Sequence, residues 1–316
     1  MEKRIHHEFK KAYSVMPKLN ITRENLVEVR KKNQEAIEGM LASTNLNEGV
    51  SITEKYIPGP KGEPNIRVKI YEPKEKKEIL PGVLFIHGGG YVQGSIEMNE
   101  IACHDLVLEI NCVIVSVDYR LAPEHPYPAP VEDCYAALEW FSENAEVLGV
   151  DSSNIAVMGA SAGGGLTAAV SLLARDRNGP SIAFQMPLYP MLDDRNITPS
   201  SNEITDEKIF NKKLNQTAWE MYLGDNTDDV SFYAAPARAN DLSGLPPTYT
   251  CVGDLDPFRD ETIDYAQRLR QAGVPVEFHL YPGCFHGFDV LFPNTEIGKR
   301  AIKEYNTALK NALQKY

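Results

Sequence analysis

The strongest chemical signal in this 316-residue chain is a serine with a glycine two residues away on either side, Gly159-Ala160-Ser161-Ala162-Gly163. It directly follows the apolar run Ile155-Ala-Val-Met158 and directly precedes a helical pattern. A serine hydroxyl is a weak nucleophile and has to be presented to a base at a sharp, strained turn between strand and helix. Glycines on both sides relieve the crowding there, and Gly164 and Gly165 extend the run. Glycine at the start of a helix costs about 1 kcal/mol against alanine, so another requirement has to favour these. A phosphate-binding glycine turn would use the same composition.

A second motif favours nucleophilic chemistry. His87-Gly88-Gly89-Gly90 follows the apolar run Val83 to Ile86, one strand–helix–strand unit before the serine. Backbone N–H groups of such a loop can face the oxyanion formed when a serine attacks a carbonyl, and Ala162, just after the serine, offers another. His87 lies within the loop, so its expected role is to fix the glycine conformation rather than to act as the base.

The base has to come from elsewhere. His6, His7, His87, His104 and His125 precede the serine, and His279 sits inside a strand pattern. His286 follows the last strand pattern with Gly283 and Gly287 nearby, and it is the well-placed candidate. For the acid that orients it, Asp254 and Asp256 both stand where the Thr248 to Val252 run ends. Asp256, ahead of Pro257, also suits a helix N-cap. Asp193 and Asp194 are weaker candidates and are expected to make turn or cap contacts.

These residues need a scaffold. Ile66, Val68 and Ile70 alternate with polar neighbours in a first strand from Asn65 to Tyr71. Short β-branched runs then recur at Val83, Cys112, Ile155, Ile182, Thr248 and Val276, with helical patterns between most of them. This alternation predicts a doubly covered, mostly parallel α/β sheet. Two segments stand outside it. Thr22 can cap a helix carrying Leu26, Val29, Ile37, Met40 and Leu41, and a second helix carries Phe210, Leu214, Ala218 and Tyr222 and stops at Gly224. We expect residues 1–45 and 195–230 to form a helical cap, and residues 46–194 and 231–316 to form the core. The apolar faces of the cap need burial, and the open sheet end above Ser161 is the available surface. Tyr91 is expected to narrow the substrate pocket beneath the cap.

A net charge of −12 disfavours nucleic acid or an anionic membrane surface as a partner. No apolar stretch approaches the ~20 residues of a membrane span, and the polar N-terminus does not read as a signal peptide. A cytoplasmic location is therefore expected. The five scattered cysteines then read as reduced, mostly buried small residues. Asn196-Ile-Thr198 and Asn215-Gln-Thr217 match a glycosylation pattern that is expected to be coincidental. The histidines and cysteines lack ligand spacing, so neither a metal nor another cofactor is expected. Homo-oligomerisation stays open.

With the HGGG loop, the GxSxG elbow and the Asp256-Pro257…His286 tail in order, the chain resembles the hormone-sensitive lipase family of esterases within the α/β-hydrolase superfamily. The resemblance runs from about Pro81 to Phe288 and includes Tyr119-Arg-Leu-Ala-Pro-Glu-His125 and Tyr189-Pro-Met-Leu-Asp-Asp194. It implies a carboxylesterase with a Ser161, Asp256, His286 triad. It also implies oxyanion donors from the glycines of the loop (Gly88, Gly89 and Gly90, chiefly the last two) together with Ala162. Many relatives carry aspartate just before the nucleophile, where this chain has Ala160, which alters pocket polarity rather than charge chemistry.

Short- to medium-chain acyl esters are the expected substrates. An amidase or arylformamidase would use the same machinery. Small-molecule receptors on this fold have lost the catalytic histidine, whereas His286 is present here. A true lipase would call for an apolar lid, and both cap helices carry many charges.

Overall fold

Alternation along the strands explains the architecture. In the computed structural model, which describes residues 2–46, 48–225 and 227–314, Leu84 and Ile86 enter one hydrophobic core while Val83 and Phe85 enter the other. Val115 and Ile114 divide in the same way, as do Val157 and Met158. The central strands are therefore buried on both faces, which requires helices on both sides of the sheet.

Eight strands form that sheet: β1 (Val50–Ile57), β2 (Ile66–Pro73), β3 (Leu80–Ile86), β4 (Val113–Asp118), β5 (Val150–Ala160), β6 (Phe184–Leu188), β7 (Thr248–Leu255) and β8 (Val276–Phe285). Their spatial order is β1-β2-β4-β3-β5-β6-β7-β8. The β1–β2 and β2–β4 pairs are antiparallel and the other five are parallel. Helices Ala129–Glu143 and Ala162–Asp176 cover one face, and helices Glu100–Ile110 and Glu296–Leu313 cover the other. The expected α/β-hydrolase fold is present.

Strand β1 departs from the expectation, which placed no strand before Asn65. Its interior residues 52–56 are exposed, so it carries charge instead of an apolar alternation. The first helix expected in the cap, Leu26–Ser43, starts from Asn25 rather than Thr22. Thr22 and Asn25 instead exchange hydrogen bonds, Thr22 N–H to Asn25 Oδ1 at 2.8 Å and Asn25 N–H to Thr22 Oγ at 3.4 Å. Only Leu26 of that helix is buried, and Met40 is 44% exposed. The second helix expected there, Lys212–Leu223, begins where Asn211 Oδ1 accepts from Lys213 and Leu214 N–H and ends at Gly224 with φ 56°. Among the described residues, no helix is long and apolar enough to cross a membrane.

All five cysteines are free thiols and buried. Asn215 is fully buried, which removes it as a glycan acceptor.

Candidate active site

Ser161 stands between the last residue of β5 and the helix Ala162–Asp176, with φ 60° and ψ −120°. For a residue with a side chain this backbone costs on the order of 1–3 kcal/mol, and the surroundings hold it there. Its N–H donates to Leu188 O at 2.9 Å, and its carbonyl accepts from Gly165 and Met191 N–H at 2.9 and 3.0 Å. A Cβ at Gly163 would collide with the carbonyl oxygens of Ile86 and His87, and one at Gly159 with those of Ile86 and Gly163. The flanking glycines are thus required by the close approach of β3 to the elbow.

His286 Nε2 lies 2.9 Å from Ser161 Oγ, and His286 Nδ1 lies 2.7 Å from Asp256 Oδ2. The geometry suits an Nδ1–H donated to the carboxylate and an Oγ–H donated to Nε2. Phe210, Phe258 and Tyr189 surround the imidazole with ring centroids 4.9, 5.1 and 5.2 Å away, which fixes its plane. Asp256 is fully buried, and its other oxygen accepts Phe258 N–H at 2.9 Å. That contact closes a turn rather than capping the helix Arg259–Gln271, which starts from Phe258, and it coexists with the His286 contact on a separate oxygen. Asp254 points elsewhere: it pairs with Arg4 at 3.7 Å and Arg259 at 3.8 Å. Asp193 accepts the backbone N–H of Arg195 and pairs with its side chain, the turn contact expected of it, whereas Asp194 makes a long-range ion pair with Arg238 instead of a turn or cap contact. His279 is a surface side chain of β8 that meets Glu277 and Glu304.

The glycine loop lies against this group. A Cβ on Gly88 would stand 2.8 Å from Ala160 O and 3.5 Å from Ser161 Cβ. Gly89 and Gly90 have φ 120° and 63°. Among the described residues, no acceptor takes the backbone N–H of Gly88, Gly89, Gly90 or Ala162. Such donors next to a nucleophile can receive a developing oxyanion. His87 is fully buried and anchors the loop as expected: Nδ1 donates to Gly88 O at 2.8 Å and the ring stacks on Tyr119 at 4.1 Å. Burial holds its imidazole below the ordinary pKa, and hence neutral.

Ser161 and His286 open onto a cavity of about 470 Å³. The loop glycines 88–90 line it together with Leu19 and Ile21 from the N-terminal segment and Ile209, Phe210, Leu214 and Met221 from the insertion. Tyr91 is a correction. It is absent from the cavity wall and is 1% exposed, with its hydroxyl donating to Met191 O at 2.8 Å and its ring stacked on Tyr222 at 3.9 Å. At φ 64° its side chain leaves the loop on the far side and wedges it from behind.

Several contributors went unseen in the sequence. Phe210 and Tyr189 cage the histidine, and Asp289, in the residues after His286, accepts from Tyr189 at 3.2 Å. Burial raises the Asp289 carboxyl above its ordinary value. Proximity to His286 was the only local signal for Asp289. Among the described residues, no group of three or more His, Cys, Asp or Glu side chains is placed to hold a metal ion.

Residues 83–290 match the family model described as an alpha/beta hydrolase fold. The chain is 40% identical to Esterase LipI of Mycobacterium tuberculosis over 241 residues, 75% of this chain and 74% of that protein. It is also 40% identical to Carboxylesterase NlhH of the same organism over 238 residues, 74% and 75% of the two chains. Among solved structures, the Bacterial Heroin Esterase superposes with a TM-score of 0.94 at 40% identity, covering 99% of each chain. The esterase LipW from Mycobacterium marinum superposes with 0.89 at 33% identity, covering 99% of this chain and 98% of that one. The chain belongs to the α/β-hydrolase family and, within it, to the hormone-sensitive-lipase-like carboxylic ester hydrolases.

Proposed function

We propose that the protein hydrolyses short- to medium-chain acyl esters of small molecules through an acyl-enzyme on Ser161. The observation that carries this reading is the unbroken chain Ser161 Oγ, His286 Nε2, His286 Nδ1, Asp256 Oδ2 at the wall of an otherwise mainly apolar cavity. His286 takes the Ser161 proton as Oγ attacks the ester carbonyl carbon. The oxyanion of the tetrahedral intermediate sits among the N–H groups of Gly89, Gly90 and Ala162, with Gly88 against the elbow. His286 then delivers the proton to the departing alkoxide, and the alcohol leaves. Water attacks the acyl group, gives one proton to His286, and the acid departs as that proton returns to Ser161. Asp256 holds the imidazole tautomer and stabilises its charged form without taking the proton.

Residues 1–45 and 195–230 act as the cap that encloses the acyl group, and the protein works in the cytoplasm without a metal or other cofactor. Each methylene that fits gains ~0.8 kcal/mol, and each that does not costs about 1–3 kcal/mol, so preference turns over with chain length. A series of p-nitrophenyl esters from acetyl to palmitoyl, beside matching anilides, tests the proposal. The expected optimum of kcat/KM lies between acetyl and roughly hexanoyl esters, with weak amide turnover. Faster turnover of the anilides, or an optimum at palmitoyl, would overturn it.

A further inference from the structure

We propose that Arg30, on the cap helix, is a positioning residue for ester hydrolysis, holding the glycine loop in the shape that receives the oxyanion. The inference rests on the proposed chemistry at Ser161 and assigns a role to a residue outside the triad and the loop.

The loop needs such a hold. Gly89, Gly90 and Tyr91 take three consecutive positive φ angles, 120°, 63° and 64°, and Gly94 adds another at 102°. Only glycine adopts these without strain, so Tyr91 persists because its surroundings over-determine it. The turn closes where Val92 and Gln93 N–H both donate to Gly89 O, at 3.1 and 3.0 Å. Any displacement of Val92 is therefore passed to the peptides of Gly89 and Gly90, whose N–H groups have no acceptor among the described residues.

Arg30 grips this turn from outside the cavity. Its Nε donates to Val92 O at 2.7 Å, and one terminal nitrogen donates to Ala122 O, also at 2.7 Å. Both terminal nitrogens reach the Glu124 carboxylate, at 2.8 and 2.9 Å. Ala122 N–H itself donates to Tyr91 O at 3.0 Å. The guanidinium thus staples the glycine turn to the segment 119–125, across a junction where the backbone has already made one bond. Glu124, within the Tyr119–His125 motif that the chemistry left unexplained, supplies the countercharge. Asn33, one helical turn along, donates to Gln93 Oε1 at 2.8 Å and seats the same helix on the same turn. A residue that only tied the cap down would need a single contact with the body. A planar fork across two loop carbonyls is what guanidinium geometry provides and an ammonium does not.

Because the staple starts on the cap helix, seating of the cap and alignment of the oxyanion donors are one event. Arg30→Ala and Arg30→Lys should both bind substrate but stabilise the transition state poorly. Losing a single oxyanion donor costs ~10²-fold or more in kcat. For a loosened loop we expect Arg30→Ala to lose ~10- to 100-fold in kcat with KM changed less than ~3-fold. Arg30→Lys should fall between Arg30→Ala and the parent. Affinity for a trifluoromethyl ketone, which forms an oxyanion adduct, should fall in step with kcat, while affinity for the corresponding carboxylic acid product stays. Guanidinium chloride added at tens of millimolar should restore part of the Arg30→Ala rate and should not raise that of the parent. Should Arg30→Ala fail to fold, Arg30→Lys against the same two inhibitors decides the matter. An unchanged kcat, a rise in KM alone, or equal losses for ketone and acid would reduce Arg30 to a cap anchor and overturn the proposal. Ser161→Ala is assayed alongside: residual turnover there would sink the Ser161 chemistry instead, so the two failures are distinguishable.

Discussion

Asp256 meets His286 through a single oxygen, Oδ2 to Nδ1 at 2.7 Å, while its other oxygen is held by the Phe258 N–H. The carboxylate cannot rotate without breaking both contacts, so the imidazole inherits its orientation from the turn after β7. Replacing Asp256 by Asn presents an amide in place of a charge and favours the wrong imidazole tautomer. Asp256→Asn should lower kcat by ~10⁴ with little change in fold. Asp254→Asn, which loses only partly exposed contacts with Arg4 and Arg259, should stay near parental activity. Steady-state kinetics of the two variants decide between the aspartates, and a reversed order would move the acid to Asp254.

Cavity size makes a second prediction. Leu214, on the helix Lys212–Leu223, lines the 470 Å³ cavity. Leu214→Trp should shrink that volume and lower kcat/KM for hexanoyl esters at least ~10-fold more than for acetyl esters, in line with the 1–3 kcal/mol typical of overpacking. A uniform loss across chain lengths would show that the acyl group lies elsewhere. The intact protein should not turn over emulsified long-chain triglycerides.

A third prediction concerns acid stability. Burial lowers the pKa of His87 in the folded protein, so below pH ~6.5 the unfolded chain takes up its proton first. Stability from this group is complete above that pH and is lost as the pH falls toward the folded value, by at most ~1.4 kcal/mol per unit. His87→Asn keeps an N–H for Gly88 O and does not titrate. Its unfolding free energy should fall less steeply than the parent's between pH ~6.5 and ~5. His6, also lowered by burial, contributes equally to both proteins, so the difference in slope is the readout. Identical slopes would contradict the assignment.

Ser161 and the glycine loop were legible because each depends on a local backbone demand that residue type discloses, and His286 because it alone among the histidines follows the last strand pattern. Glycines 159 and 163 are dictated by the carbonyls of β3, and a turn that tight leaves a recognisable pattern. Asp256 was separable from Asp254 only through the resemblance, since both stand within reach of the same strand end. Tyr91 was misplaced because one positive φ decides on which side of the loop its ring emerges, and a tyrosine gives no sign of that angle. Strand β1 was missed because its exposed centre carries Glu54 and Lys55 where an apolar alternation would have marked it. Arg30 could not be read at all: its partners are backbone carbonyls 62 and 92 residues away, which any residue type supplies.

Chelation offers an independent check. The proposed chemistry draws nucleophile, base and oxyanion donors entirely from the chain, so dialysis against EDTA should leave kcat/KM unchanged. Loss of activity that zinc restores would contradict the mechanism.

The most direct measurement labels the nucleophile. Diethyl p-nitrophenyl phosphate should inactivate the protein with release of one equivalent of p-nitrophenol, and peptide mass mapping should place the diethylphosphoryl group on Ser161. Ser161→Ala should neither take the label nor hydrolyse p-nitrophenyl acetate above background. Inactivation with the label on another residue, or sustained ester turnover by Ser161→Ala, would contradict the account.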